Sequence, residues 1–372
     1  MGDIYTYWIL RYLLLVILIV CGYGISYRKS NNFNIYAGIS LVAYSIIVGM
    51  RYGRGRDYFH YYQDISTNMM APGCTIDPEP LYKLWINTLY NLKVPPEVVF
   101  VFYSFLLLLS FLLVLKNDRK IACWALPVFY LITNTVAENA IRQCFALSFV
   151  ILAYYFYQKN KLIGVLSSLI IAINIHFSSI VVLFLFIFFG YAPIKIKSSK
   201  YLIIIYLLML FAWQASLFDS VTDLLTKYDV DFGKSSYYIE NSDRFLSSDS
   251  ELTNHKASVV TLLMQAVSSI MIIYYGVKLT SKEHKYNLPF AFSYLAIIIY
   301  QIGSNMEMYL RIFHWLSFMY PIMVGFIMTK LEMKRKQKLI FGVVIAVYTG
   351  YHFFASRMFI LNDTGYMFLW DR

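Results

Sequence analysis

Apolar runs of about 20 residues, each closed by a short polar or basic stretch, repeat from one end of this chain to the other. Runs of that length predict membrane-crossing helices, because a helix satisfies its own backbone where water cannot. They fall at 6–26, 33–50, 97–115, 121–135, 139–157, 162–174, 177–192, 201–218, 257–277, 287–303, 312–329 and 339–356. The run from Leu162 to Tyr191 is too long for one crossing, and Asn174-Ile175-His176 is its one strongly polar point, so it is broken there into a hairpin. Two shorter periodic stretches lie between the second and third runs. Tyr58, Tyr62, Ile65 and Met69 recur at steps of 4, 3 and 4 residues behind Asp57, which stands where an N-cap belongs. Leu81, Leu84, Trp85, Leu89 and Leu92 form a second stripe, opened by Glu79-Pro80 as a helix start. Both predict amphipathic helices lying on the membrane. The expected fold is all-α and polytopic: one membrane domain over residues 1–372, about 12 transmembrane helices, with interfacial helices in a large loop at 51–96. A second large loop, 219–256, is rich in Ser, Asp and Tyr with little periodicity, and reads as a solvated linker or a lid.

Composition agrees with this pattern. Hydrophobic residues make up 59% of the chain and charged ones 14%, well under the ~25% charge of a soluble domain. The 34 tyrosines and 29 phenylalanines suit an interfacial belt and helix packing. Cys21, Cys123 and Cys144 fall in apolar runs and Cys74 in a loop, so neither a disulfide framework nor a metal-ligand spacing is indicated, and no cofactor is implied. The N-terminus carries Asp3 rather than a basic region, which reads as a retained first helix. The net charge of +11 points to topology rather than to nucleic acid. Alternate loops near 28–29, 116–120, 159–161, 195–200, 278–285 and 330–338 hold 18 Lys/Arg against three acids, Asp118, Glu283 and Glu332. The positive-inside tendency makes that set cytoplasmic, turning both termini and the two large loops outward. The inner loops are too short for a nucleotide-binding domain and hold no phosphate-binding glycine loop.

Charge at the outer mouth is the candidate chemistry. Arg51, Arg54 and Arg56 lie within six residues, directly after an apolar run. Arginine is costly near hydrocarbon, and its fork matches phosphate oxygens. Glu138 and Arg142 stand four apart, a spacing that puts them on one helix face, as an ion pair or as parts of a site. His176 is at the hairpin tip, and Arg311 opens the eleventh run. All are expected at one depth, where a lipid pyrophosphate would present its phosphates with its tail in the bilayer. On this reading Arg142 and Arg311 bind pyrophosphate, and Arg51 shares it or holds the loop, beside Arg54 and Arg56. His176, then Asp57 or Glu138, are the candidate bases, and Tyr58, Tyr62 and Arg244 are candidate substrate contacts.

The same positions carry a family likeness. Arg51-x-Gly53-x-Gly55-x-Asp57-Tyr58-x-x-Tyr61 resembles the first-loop signature of EpsG-like exopolysaccharide polymerases, a branch of the Wzy-type O-antigen polymerases. Glu79-Pro80-Leu81-Tyr82, Arg142-Gln143-x-x-Ala146, Asn174-Ile175-His176-Phe177-Ser178, and Arg311 with Tyr320-Pro321 resemble its later motifs in order, whereas Arg54-Gly55-Arg56 departs from its pattern. The resemblance implies a GT-C-like glycosyltransferase of a bacterial inner membrane. Such an enzyme joins undecaprenyl-pyrophosphate-linked repeat units on the periplasmic face, with the bilayer and a chain-length regulator as partners. A lipid-linked oligosaccharide flippase, a glycan O-acetyltransferase and a bare scaffold are the competing readings. The charges gathered at one face and the short inner loops weigh against the first two.

Overall fold

The computed structural model describes residues 4–27, 32–53, 55, 57–67, 79–191, 198–214, 259–303, 307–361 and 367–368. Nearly all of them are helical. In the first part of the chain are α1 (Ile4–Tyr27), α2 (Phe33–Gly49), α3 (Tyr58–Thr67), α4 (Pro80–Asn91), α5 (Pro96–Asn117), α6 (Ala122–Asn139), α7 (Ile141–Gln158) and α8 (Leu162–Ile175). They are followed by α9 (Ile180–Leu185), which runs on as a π-helical turn to Tyr191, and by α10 (Ser199–Gln214). The remainder forms α11 (Val259–Thr280), α12 (Asn287–Gly303), α13 (Glu307–Ser317), α14 (Met319–Lys330) and α15 (Arg335–Leu361). A two-residue antiparallel ladder joins β1 (Arg51–Tyr52) to β2 (Met367–Phe368), with Arg51 opposite Phe368. The contacts gather into two compact units. One comprises residues 1–186 with 324–329 and 349–372, and the other residues 187–323 with 330–348.

Each of the twelve apolar runs carries a helix, with three differences of detail. The eleventh is two helices, α13 and α14, broken at Phe318. The twelfth extends to Arg335–Leu361. The ladder between β1 and β2 has no periodic signal in its two short strands. The break expected near residue 175 is present: α8 ends at Ile175, His176 is extended (φ −151°, ψ 103°), and a 3-10 turn, Phe177–Ser179, leads into α9. A helix is present at each of the two amphipathic stretches, α3 and α4, with α4 opening at Pro80 and Glu79 in the N-cap position.

The faces of α1 show what surrounds the chain. Tyr7, Arg11, Leu14, Leu18, Cys21 and Ile25 recur at steps of 4 and 3 and are buried. The opposite stripe, Ile9, Leu13, Val16, Val20, Tyr23 and Tyr27, is exposed. The charged residue is inside and the outward face is apolar, the reverse of a soluble helix. On α2, Ile35, Ile39, Val42 and Ile46 face outward while Ser40, Tyr44 and Ser45 are buried. Outward faces of this kind require lipid. Among the described residues, four segments, Thr6–Tyr27, Pro96–Asn117, Val259–Thr280 and Arg311–Lys330, are long and apolar enough to cross a bilayer. The protein is an all-helical membrane protein.

In the first unit α1 packs on α2 and α6, α5 fits between α2 and α7, and α7 continues onto α8. This places the C-termini of α2 and α6 beside the first loop, where the candidate residues lie.

Candidate functional site

The chain breaks between α6 and α7. Ala140 is non-helical (φ −91°, ψ 64°), so Glu138 closes one helix and Arg142 lies in the first turn of the next. The expectation that a spacing of four puts these two on one helix face therefore fails, and each finds another partner. Glu138 forms an ion pair with Arg11, both with wholly buried side chains. The Tyr7 hydroxyl lies 3.3 Å from either Glu138 oxygen and donates there, while the Arg11 guanidinium donates to Asn134 Oδ1 at 3.2 Å. Tyr7 and Arg11 are four apart on α1, and Asn134 and Glu138 four apart on α6, so one polar square joins two helices. Tyr130 adds a bond from its hydroxyl to the Arg11 carbonyl, 3.2 Å. Sequence reasoning missed Arg11, although it is the one charged side chain in α1. A single arginine inside an apolar helix is itself a signal of a buried partner.

Arg51 is buried and reaches three main-chain carbonyls: Val48, Ala137 at 2.8 Å and Glu138 at 3.0 Å. Val48 lies in the last turn of α2, and the other two in the last turn of α6. Neither helix has a basic residue of its own there. One guanidinium thus caps two helix C-termini, satisfying orphan carbonyls and complementing both dipoles. Of the two roles open to Arg51, this geometry serves the holding of the loop. Gly55 completes the seam. Its φ is +103°, and a Cβ there would collide with the Glu138 carbonyl oxygen. Gly55→Ala is expected to cost about 1–2 kcal/mol from backbone strain alone, with the clash added. Thermal unfolding of the detergent-solubilised protein should show a clear loss. Gly38→Ala, on α2 with no atom within 4 Å of the added methyl, should unfold at or above the wild-type temperature.

Glu79 gathers the remaining motif residues. Its Oε2 lies 3.2 Å from an Arg142 terminal nitrogen, and its Oε1 accepts the Phe177 amide hydrogen at 2.8 Å. Its carbonyl accepts from Lys83 at 3.0 Å, the first bond of α4. One residue therefore ties together the start of α4, through its carbonyl, and the start of α7 and the hairpin tip, through its carboxylate. The Arg142 guanidinium also lies over the Tyr82 ring, 5.3 Å from its centroid. Its side chain remains 23% exposed, so an anion can still approach it. Tyr82 is buried, and burial holds its phenol well above the ordinary tyrosine range, which keeps it protonated. At the tip His176 Nδ1 is 3.0 Å from Ser178 Oγ, an arrangement that orients the imidazole. Sequence reasoning placed Glu79 as a helix start and did not see it as the partner of Arg142. The sequence signal, a glutamate before a proline, reports only the local turn.

The other candidates are placed as follows. Asp57 stands at the head of α3, its carbonyl accepting from Tyr61 at 3.1 Å. Tyr58 is wholly buried, with Phe100 at 5.0 Å and the Arg51 guanidinium at 6.0 Å from its ring centroid. Its surroundings are packing, and no face of it is open to a sugar. The Tyr62 hydroxyl donates to Glu97 at 3.3 Å. Arg311 lies on α13 in the second unit and is half-buried. Arg54, Arg56 and Arg244, with the whole loop 219–256, lie outside the described residues. The motif positions thus fall into two groups: Arg51 and Gly55 lie against the Glu138 carbonyl, and Glu79 holds Arg142 and the amide of Phe177, the neighbour of His176.

The model of the EpsG family matches residues 34–366. No curated protein and no solved structure matches the chain. The chain belongs to the EpsG family, and its role is polysaccharide polymerase-like, in a membrane.

Proposed function

We propose that this EpsG-family protein polymerises undecaprenyl-pyrophosphate-linked oligosaccharide repeat units into an O-antigen or exopolysaccharide. The site would face the outside of a bacterial inner membrane, in a GT-C-like arrangement of about twelve spans. The asymmetry of Lys and Arg between alternate loops supports that orientation. The observation that carries the reading is the Glu79 clasp, which sets a partly exposed guanidinium, Arg142, beside the hairpin tip that bears His176. A glycosyl pyrophosphate needs these two functions, an anion stabiliser and a base.

In the proposed step an acceptor hydroxyl of the incoming lipid-linked unit attacks the anomeric carbon at the reducing end of the growing glycan. The new bond joins that carbon to the acceptor oxygen. The bond to the pyrophosphate oxygen breaks, and undecaprenyl pyrophosphate leaves with the electron pair. The acceptor proton passes to the His176 imidazole. Arg142 meets the charge that develops on the leaving phosphate, where a preformed cation acts most strongly. Arg311 is a second phosphate-binding candidate, and no metal is invoked. Asp57 and Glu138 are weaker choices as base. Asp57 heads a helix, and Glu138 is enclosed with Arg11 and Tyr7.

The test is reconstitution of the purified protein in liposomes with lipid-linked repeat unit alone. Growth of chains longer than one unit is expected, and His176→Ala should remove it while the protein still inserts. Movement of the substrate between leaflets without chain growth would instead make the protein a flippase.

A further inference from the structure

We infer that Glu79 is a built-in competitor for the anion site of Arg142, occupying the guanidinium in the resting protein and weakening its hold on pyrophosphate. The inference rests on the reading that Arg142 receives the pyrophosphate of the lipid-linked substrate. Three features of the clasp carry it.

The two oxygens of Glu79 have separate tasks. Oε1 is held by the Phe177 amide at 2.8 Å, and Oε2 alone faces Arg142, at 3.2 Å. An arriving phosphate can therefore take Oε2's place on the guanidinium while Glu79 stays anchored to the hairpin tip. The Glu79 side chain is also largely buried, 10% exposed, whereas that of Arg142 is 23% exposed. The carboxylate cannot swing into water when displaced, and it remains a negative charge beside a bound phosphate. Like charges held close in a partly desolvated place repel. Finally, the Arg142 guanidinium is steadied by the Tyr82 ring at 5.3 Å, so it keeps its place while its anionic partner changes.

The consequence for turnover is a trade. Repulsion from Glu79 weakens the grip on lipid pyrophosphate in both substrate and product. It therefore raises KM and speeds release of the undecaprenyl pyrophosphate left after transfer. A glutamine at this position keeps an oxygen for the Phe177 amide and loses the charge. A purely structural glutamate and a competing one then give opposite results. Losing a structural contact weakens binding, whereas losing a competitor strengthens it.

The experiment measures binding of inorganic pyrophosphate to the purified full-length protein, then steady-state kinetics with the lipid-linked repeat unit, for the wild type, Glu79→Gln, Glu79→Asp and Arg142→Ala. Glu79→Gln is expected to bind pyrophosphate roughly fivefold more tightly, the scale of a partly exposed ion pair. Its KM and kcat should both fall. Glu79→Asp, which withdraws the carboxylate from Arg142, should shift both in the same direction and serves if the glutamine variant does not fold. Unchanged or weaker pyrophosphate binding in a folded Glu79 variant overturns the inference. Should Arg142→Ala bind pyrophosphate as the wild type does, the reading of Arg142 itself is what fails. Loss of binding in Arg142→Ala with no gain in Glu79→Gln sinks only the competitor role.

Discussion

Replacing Arg142 with alanine is expected to abolish long-chain glycan while the protein still reaches the membrane. The guanidinium is the partly exposed cation of the clasp, and its partner Glu79 is fixed by the hairpin tip and by α4. Removing a preorganised group of this kind from a site of charge development costs on the order of 10²–10³ in rate. Part of any loss could come from stranding Glu79, so the double variant Arg142→Ala/Glu79→Gln is the control. It relieves the stranded charge and should restore thermal stability without restoring chain growth. Arg142→Lys keeps the charge and loses the fork, so it should fall between the wild type and alanine. The measurement is the glycan ladder in cells that carry only the variant copy, backed by rates with purified protein. A full-length ladder from Arg142→Ala would remove Arg142 from the site.

The second large effect is on stability. Arg11→Ala takes the buried cation away from Glu138 at the contact of α1 and α6 and leaves the Tyr7 hydroxyl bonded to the carboxylate. Breaking a buried pair from one side costs about 3–5 kcal/mol. The variant should fail to accumulate or should unfold at a much lower temperature. Replacing both partners with apolar residues of similar volume is often neutral, so Arg11→Met/Glu138→Met should recover most of the stability. The pair of measurements also decides the place of Glu138 in the chemistry. A stable double variant that still extends chains excludes Glu138 as the base, and a stable but inactive one restores it as a candidate. Should Arg11→Ala prove as stable as the wild type, the buried pair would not matter to the fold.

The legible part of this protein is its local order. Twelve apolar runs correspond to helices because a helix in lipid must be continuous and apolar on its outer face. The hairpin break at His176 followed from length, and the start of α4 at Glu79-Pro80 from helix-start chemistry. The motif residues were legible as a set, since arginines beside apolar runs need a reason to be there. Their partners were not. Glu138 and Arg142 looked like a pair at helical spacing, and a single non-helical residue, Ala140, separates them. Arg51 read as a phosphate ligand or as the residue that holds the loop, and its guanidinium caps two helix ends. Its target, a main-chain carbonyl, exists at every position of a sequence and marks none.

The sequence by itself determined that the chain is helical and membrane-embedded, along which stretches its helices lie, and which polar residues needed explaining. Only the tertiary structure decided which of them meet. Arg11 finds Glu138 because α1 and α6 turn those faces together, and Arg142 finds Glu79 because α4 starts beside α7. Periodicity reports the buried stripe of each helix, but the angle and depth at which two stripes meet come from the packing of the whole bundle. A buried charge takes whatever partner that packing delivers.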